Sequence, residues 1–443
     1  MSEPDVIVVG AGPAGLAAAI ALAGAGFSAA IIEQRETTGG AIYRQPVKDA
    51  TPVPQAPAAK RRWRELSERF KAAGVTVRGA SVFLGVDGDG TVLVDDRRMG
   101  KLDRLAPRGV ILATGAVEKI HPRPGWELAG VSTVGGLQVM MKETGRAPQG
   151  RVLLAGSGPL LIAVAAQMAR LGNPPIAIVE AGNPLARPAA GLGLIAFPGL
   201  VSEAFSYLAT AYRRGIPWLR GRKLLSIESD GDGLIAEIED RNGVRRKIAA
   251  DRIGLHDGIR PNDFGLPQAT GTDRPGPVVI RAGDCREALG AVAAEADGAR
   301  AGRMMAGLLA ANPANAAALD VAVERSRRAQ DVLARLFAPV HAGSPVDGLP
   351  DDTVLCRCEG GTVGDLRRLC GRPDPLTGRE IKHNGRFAMG ACQGRFCAEN
   401  TAALMALLRP ETPPPVPEDL TGRRWPVRPV SIGALTNASN DNE

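Results

Sequence analysis

The sequence predicts an α/β protein of two Rossmann-like dinucleotide-binding units, followed by a separate cysteine-bearing segment. Three observations carry the prediction. Residues 6–33 read as strand, glycine turn, helix, strand and terminal acid. Residues 151–180 repeat that order, and four of the six cysteines fall in two close pairs between 356 and 397.

Each part of the first repeat has a physical task. Val6-Ile7-Val8-Val9 is a β-branched run that reads as a fully buried strand. Gly10, Gly12 and Gly15 form G-x-G-x-x-G. The first allows a tight turn, the second lets backbone approach a pyrophosphate, and the third lets the next helix press on the sheet. Pro13 and Ala14 open that helix, whose first amides and partial positive charge face the diphosphate. Glu33 closes the second strand, where a carboxylate can accept from adenosine ribose hydroxyls, so the stretch reads as an FAD or NAD site. The uncharged run from Val6 to Ile32 is long enough to span a bilayer. It is broken by glycines and Pro13, and it follows Glu3 and Asp5 rather than a basic segment, which argues against an anchor or signal peptide.

At 443 residues the chain has room for two or three domains. Aromatics are only 4%, which argues against base-stacking modules and hence nucleic acid. The net charge of +7 is spread out, and its densest cluster, Lys60-Arg61-Arg62, begins a surface helix to Ala73 that reads as a solvated face. Six cysteines in a long chain without a signal suggest reduced thiols and a metal site.

Next in order, Gly39 and Gly40 let backbone pass close to a flat ligand, and residues 46–59 form a Pro- and Ala-rich loop. A strand pair turns at Asp87–Gly90. Val110–Ala113 is a buried strand ending in Thr114-Gly115-Ala116, after which 117–136 crosses to the second unit. There Arg151–Ala155 is a strand, Gly156-Ser157-Gly158 starts the turn, and Glu180 ends the next strand. Leu161 stands at the third glycine position, where its side chain faces the helix–strand contact. The reading taken is a retained scaffold without nicotinamide; NAD(P) or another adenine nucleotide at Gly156, Gly158 and Glu180 is the alternative. A helix is expected from Ser202 to Arg214. Val278–Ala282 then returns to the first unit and ends in Gly283-Asp284 before an Ala-rich helix.

Cys356-x-Cys358 and Cys392-x4-Cys397 could bind zinc or an iron–sulfur cluster, though C-x-C is tight for structural zinc. Cys370 reads as a core residue, and nothing in the sequence makes Cys285 redox-active. Here the motifs become specific. The ATG turn after a buried strand resembles the return crossing of two-dinucleotide-binding-domain flavoproteins. The cysteine spacing resembles the bacterioferritin-associated-ferredoxin-like [2Fe-2S] module, a small helical domain. Together, with the GWELAGVSTVGGLQ crossover and the terminal RRWPVRPVSIGAL, they resemble the α subunits of bacterial dye-linked amino-acid and opine dehydrogenases. That group includes the α subunits of heteromeric proline and hydroxyproline dehydrogenases, together with the equivalent subunits of octopine oxidase, nopaline oxidase and hydrogen cyanide synthase. The chain departs from it at Lys119-Ile120-His121 and across 255–262, which carry more charge.

The resemblance implies FAD held by Gly10, Gly12, Pro13, Ala14, Gly15, Glu33, Gln34, Gly39, Gly40, Thr114, Gly115, Gly283 and Asp284, with Asp284 on a ribitol hydroxyl. It implies a [2Fe-2S] cluster on Cys356, Cys358, Cys392 and Cys397. It also implies a partner β subunit, an FAD-containing amine oxidase-like protein that oxidises the CH–NH bond, often joined by a small ferredoxin-like γ subunit. This chain would carry electrons to a quinone or other respiratory acceptor, in the cytoplasm or at the inner face of the membrane. No catalytic residue is expected: no C-x4-C follows the first helix, and the four histidines form no acid–base constellation. A self-contained NAD(P)H-dependent FAD/[2Fe-2S] reductase, and a scaffold binding a nucleotide structurally, are the alternatives. The boundaries expected are 1–116 and 258–325 for the FAD unit, 117–257 for the second unit and 326–345 for a linker helix. The cysteine domain is expected at 346–410, and an extended, helix-free arm at 411–443, anchored by Trp425.

Overall fold

In the computed structural model, residues 3–270, 276–311, 317–341, 343–422 and 425–437 are described, with backbone only for 317–320. The chain enters through β1 (Val6–Val9), buried along its whole length. Gly10 (φ +102°) turns it into α1 (Pro13–Gly24), which leads to β2 (Ala29–Ile32). The two strands pair parallel, Val6 with Ala29 through Val9 with Ile32. α2 spans Pro57–Ala73, with only Leu66 fully buried and its charged face outward, and it stops at left-handed Gly74. β3 (Thr76–Arg78) forms the sheet edge. β4 (Ser81–Val86), β5 (Val92–Asp96) and β6 (Lys101–Leu105) make an antiparallel meander. β7 (Gly109–Leu112) inserts beside β1.

β8 (Ala116–Glu118) crosses to the second unit, built from β9 (Val131–Thr133), α3 (Val134–Thr144), β10 (Val152–Gly156), α4 (Pro159–Arg170) and β11 (Ala177–Glu180). α5 (Pro188–Leu192), α6 (Pro198–Arg213) and β12 (Trp218–Arg220) follow; α6 starts ahead of the expected Ser202 because Pro198 can occupy its first turn. A second meander, β13 (Arg222–Asp230), β14 (Gly233–Asp240) and β15 (Arg245–Ala250), precedes β16 (Arg252–His256). The second sheet runs β12-β11-β10-β16-β9. β17 (Ile259–Pro261) returns alongside β8, antiparallel, so the two crossings form one ribbon. β18 (Val278–Arg281) completes the first sheet, β18-β7-β1-β2-β3.

α7 (Ala291–Leu309) lies directly on α1. A Cβ added to Gly298 would fall 2.1 Å from Ala14 O, and one on Gly302 would fall 2.5 Å from Ala18 O, so small residues set this helix spacing. α8 begins at Ala317 and ends at Phe337, so the linker helix is shifted toward the N-terminus of the expected 326–345.

The cysteine segment has its own core, centred on Leu355, Leu366, Ile381, Leu404 and the fully buried Phe387. Around it lie β19 (Val354–Cys356), β20 (Gly361–Thr362), α9 (Val363–Cys370), α10 (Gly378–Gly385) and α11 (Ala398–Leu408). Thr362 and Thr377 head α9 and α10 in reciprocal capping boxes with Asp365 and Glu380. The core extends past the expected boundary at 410, because Leu420 of α12 (Pro417–Thr421) is buried in it. α12 and α13 (Ile432–Asn437) correct the expectation of an arm without helix. Pro417 sits at the start of α12, where a missing N–H costs nothing, and Asp419 accepts from Val416 N. Beyond it, Val427 (4% exposed) and Ala434 (1%) pack on β4–β6, while Trp425 is 53% exposed, so Val427 is the anchor in its place.

Candidate functional site

The glycine turns of the first unit meet at the C-terminal edge of its sheet. Gly10 cannot carry a side chain, since a Cβ would fall 2.5 Å from Ala113 O. Gly15 is tighter still, with its Cβ 1.8 Å from Gly10 O. Gly12 is different. It has an ordinary φ of −78°, and a Cβ there would meet only Gly40 Cα, at 3.8 Å. Gly39 N donates to Ala11 O at 2.8 Å, which lays the Gly39–Gly40 loop over the start of α1. Pro13 and Ala14 occupy that first turn, whose amides lack intrahelical acceptors and so suit a diphosphate.

Glu33 is nearly buried. Its Oε2 accepts from Ala11 N (2.7 Å) and its Oε1 from Arg35 N (3.0 Å). Its observed work is therefore to brace the glycine loop, each oxygen keeping a further lone pair for a ligand. Gln34 is exposed beside it. Across the cleft, Gly115 has φ +76° with nothing within 4 Å of a would-be Cβ, and Thr114 Oγ1 lies 2.7 Å from Asn262 O. Gly283 N donates to Asp297 at 2.7 Å. Asp284 Oδ1 accepts from Leu289 N (3.0 Å) and Gly290 N (2.9 Å), and burial pushes its carboxyl above the usual range. Cys285 is fully buried, its thiol also pushed up by burial.

The second unit assembles the equivalent residues and then covers them. Gly156 (φ +144°) and Gly158 (φ +123°) form the turn, and Leu161 is fully buried in the core beneath it. Glu180 has no exposure; it accepts from Gly158 N (3.2 Å) and Gly182 N (3.0 Å), and burial pushes it up to about 7. The stretch after α8 runs over this edge. Ser157 Oγ donates to Phe337 O at 2.6 Å, Val340 N donates to Ala181 O at 3.0 Å, and Gly182 bridges to Pro339. A Cβ on Gly182 would fall 2.5 Å from Phe337 O.

The four paired cysteines come together, Cys397 beside both Cys356 and Cys392, and Cys392 beside Cys358. Backbone N–H groups also point at the sulfurs: Glu359 and Ala388 toward Cys356, Gly394 and Phe396 toward Cys392, and Cys392 toward Cys358. Set against Cys397, the Cys356 and Cys392 thiols are held below the usual range, and Cys397 is itself pushed up. Arg386, Ala388 and Gln393 take left-handed backbone around the loop. Among the described residues, no three His, Cys, Asp or Glu side chains close around one ion position.

Residues that sequence reasoning left without a role hold the cysteine unit in place. Lys119 Nζ pairs with Glu399 at 3.0 Å, Asn400 Nδ2 donates to Ile120 O at 2.9 Å, and His121 Nδ1 lies 3.5 Å from Asn400 Oδ1. Arg260 donates to Arg395 O at 2.5 Å, and Trp126 Nε1 to Val354 O at 2.6 Å. Lys119, Ile120, His121 and Arg260 thus face this chain's own cysteine unit, whereas His256 and Asp257 pair with Glu118 and Arg123 beside the crossing ribbon. No local pattern announces such contacts, whereas the small residues Gly298 and Gly302 of α7 were a visible signal of close helix packing.

Two sheets joined by a crossing ribbon, with a glycine turn at the edge of each, define the class. Residues 4–283 match the pyridine nucleotide-disulphide oxidoreductase family, and the chain belongs to it. Among curated relatives, an opine oxidase subunit of Rhizobium meliloti (strain 1021) is 31% identical over 99% of both chains. Hydrogen cyanide synthase subunit HcnB of Pseudomonas aeruginosa is 29% identical over 88% of this chain and 90% of that one. The crystal structure of L-proline dehydrogenase from P. horikoshii shares the fold, with a TM-score of 0.62 at 19% identity, covering 98% of this chain and 79% of that one. The chain is thus an oxidoreductase-family flavoprotein whose full-length relatives are named as subunits of larger enzymes. Among the described residues, no helix is long and apolar enough to cross a membrane.

Proposed function

We propose that this chain is the FAD- and [2Fe-2S]-containing electron-transfer α subunit of a heteromeric dehydrogenase or oxidase. The enzyme would act on the CH–NH bond of an amino acid, imino acid or opine. The observation that carries the reading is the cysteine cluster: four neighbouring thiols, with backbone N–H donors aimed at the sulfurs. A two-iron cluster takes two thiolates per iron, and N–H···S bonds are among the features that set its potential. The donor set therefore fits that group, with Cys356, Cys358, Cys392 and Cys397 as ligands. The first glycine edge fits FAD, with Gly12 open toward the diphosphate and Gly115 toward the flavin. Bound there, the two groups would supply hydride and single-electron chemistry; the protein's part is to hold, space and shield them.

The substrate would be oxidised by a partner β subunit, itself an FAD-containing amine oxidase-like protein, with a small ferredoxin-like γ subunit in some assemblies. Electrons would leave to a quinone or other respiratory acceptor, with the complex in the cytoplasm or at the inner face of the membrane. The covered second edge supports a scaffold without nicotinamide. The test is purification with the subunits encoded beside it. The expected product shows flavin absorbance with a [2Fe-2S] shoulder and about two irons per chain. Cys392→Ser is expected to lose iron and keep flavin. Zinc in place of iron after anaerobic preparation would overturn the assignment, and flavin bleaching by NADH would favour a self-contained reductase.

A further inference from the structure

We propose that Arg260, at the centre of β17, is a positioning residue that fixes the cysteine loop against the flavin-side turn of the first unit. The proposal rests on the reading that these two places hold [2Fe-2S] and FAD. It comes from a continuous set of contacts through three consecutive residues, Arg260-Pro261-Asn262. At the flavin end, Asn262 is held three times: its N donates to Gly115 O (2.9 Å), its Nδ2 to Thr114 O (3.2 Å), and its carbonyl lies 2.7 Å from Thr114 Oγ1. At the other end, the Arg260 guanidinium donates to Arg395 O at 2.5 Å, and Arg395 in turn donates to Cys392 O at 3.1 Å. Pairing with β8, Arg260 opposite Val117 and Pro261 opposite Ala116, keeps the segment straight. At about 3.3 Å per residue, the strand separates the two anchor points by only about 7 Å of backbone.

The Arg260 side chain is built into this position rather than lying loosely on it. It is 11% exposed, its Nε is 3.5 Å from Glu399 Oε2, and its guanidinium lies 4.1 Å from the centre of the Phe264 ring. A planar cation that donates along its edge and stacks on a ring cannot be reproduced by an ammonium. Lys119, just after the crossing strand, meets the same Glu399, so the first turn of α11, the helix that follows Cys397, is held by two cations of the ribbon. One short strand segment thus ties the Thr114–Gly115 turn to the Cys392 loop. Electron exchange between two centres falls steeply with separation, so a residue that sets this gap sets the rate without touching substrate.

The experiment uses the full-length chain with its co-purifying subunits, comparing wild type with Arg260→Leu, Arg260→Lys and Asn262→Ala. Flavin, iron and the electron paramagnetic resonance spectrum of the reduced cluster are measured first. The flavin is then reduced photochemically with a sacrificial amine donor, and the one-electron exchange with the cluster is timed; what one centre loses the other gains. Amide hydrogen exchange across 390–400 is followed in parallel. Arg260→Leu is expected to slow the exchange several-fold. Faster amide exchange at 392–400, unchanged cofactor content and partial recovery in Arg260→Lys are expected with it. Asn262→Ala removes only the Nδ2–Thr114 O contact and leaves both backbone anchors, so it is expected to slow electron exchange less than Arg260→Leu does. An unchanged electron rate in Arg260→Leu with both cofactors present overturns the proposal, as does unchanged amide exchange at 392–400. Absence of flavin or iron from the wild type would instead overturn the cofactor reading, and the amide-exchange comparison would still decide the joint.

Discussion

Gly12 and Gly15 belong to one motif, yet their surroundings demand opposite things of them. A methyl on Gly15 would overlap Gly10 O at 1.8 Å, whereas one on Gly12 meets only Gly40 Cα at 3.8 Å. Gly15→Ala is therefore expected to lower stability by about 3 kcal/mol or more through overpacking. Gly12→Ala is expected to unfold at the wild-type temperature in the cofactor-free state but to bind flavin much more weakly. Thermal unfolding and flavin titration of the two variants separate fold from ligand, which Gly158, strained at φ +123°, would not. Glu180 makes a pH-dependent prediction. Burial raises its carboxyl from 4.5 to about 7, so between those values the folded chain keeps a proton that the unfolded chain has lost. Stability then falls as pH rises through this window, by up to about 3 kcal/mol, and levels off above it. Glu180→Gln should flatten that slope in urea unfolding from pH 4.5 to 8; an unchanged slope would assign it to other groups.

At the scale of elements, the cysteine unit depends on one buried arginine. Arg409 (7% exposed) donates to Cys370 O at 2.9 and 2.5 Å, to Leu376 O at 3.1 Å and to Leu369 O at 3.3 Å, closing the C-terminus of α9. Arg409→Met keeps the apolar stem and strands those carbonyls, an expected loss of about 3 kcal/mol. It should appear as earlier melting of residues 346–421, followed by hydrogen exchange, with the flavin units unchanged. The terminal stretch is held differently. Val427 N donates to Leu84 O at 2.8 Å, its carbonyl accepts from Arg395, and its side chain packs with Phe83 and Val94. Val427→Asp is expected to release 425–437 to fast amide exchange, whereas Trp425→Ala should change little.

For the whole molecule, the two Rossmann-like units are joined by more than the β8–β17 ribbon. Lys142 at the end of α3 is 5% exposed and donates to Ala41 O (3.1 Å) and Ile42 O (3.0 Å) beside the first glycine loop; burial pushes it down to about 8. Next to it, Glu143 pairs with Arg35 at 2.5 Å and Arg44 at 3.6 Å. A rotation of one unit against the other would expose a buried ammonium and break these pairs. With Phe337–Val340 lying on the second glycine edge, NADH and NADPH are expected neither to bleach the flavin nor to raise the unfolding temperature. Stabilisation by either would mean that this segment can be displaced.

The sequence by itself determined the elements whose physics is local. Val6–Glu33 and Arg151–Glu180 each carry a strand, a turn that needs glycine and a helix within one stretch, so both units were legible residue by residue. The spacing of Cys356 and Cys358, and of Cys392 and Cys397, marked two close pairs in the same way, and the fold sets the pairs beside each other. Three features were decided by contacts between residues far apart in the chain. Whether the second edge is open depends on Phe337, which reaches Ser157 from 180 residues away. The charges at Lys119 and Arg260 acquired a partner only when α11 packed against the ribbon. Trp425, the most apolar-looking residue of its arm, was left half-exposed with only its Cδ1–Nε1 edge against Gly85 of β4, while the smaller Val427 is buried in the core beside it. Periodicity and spacing report what a segment can bury, and only the folded chain decides which surface is there to cover it.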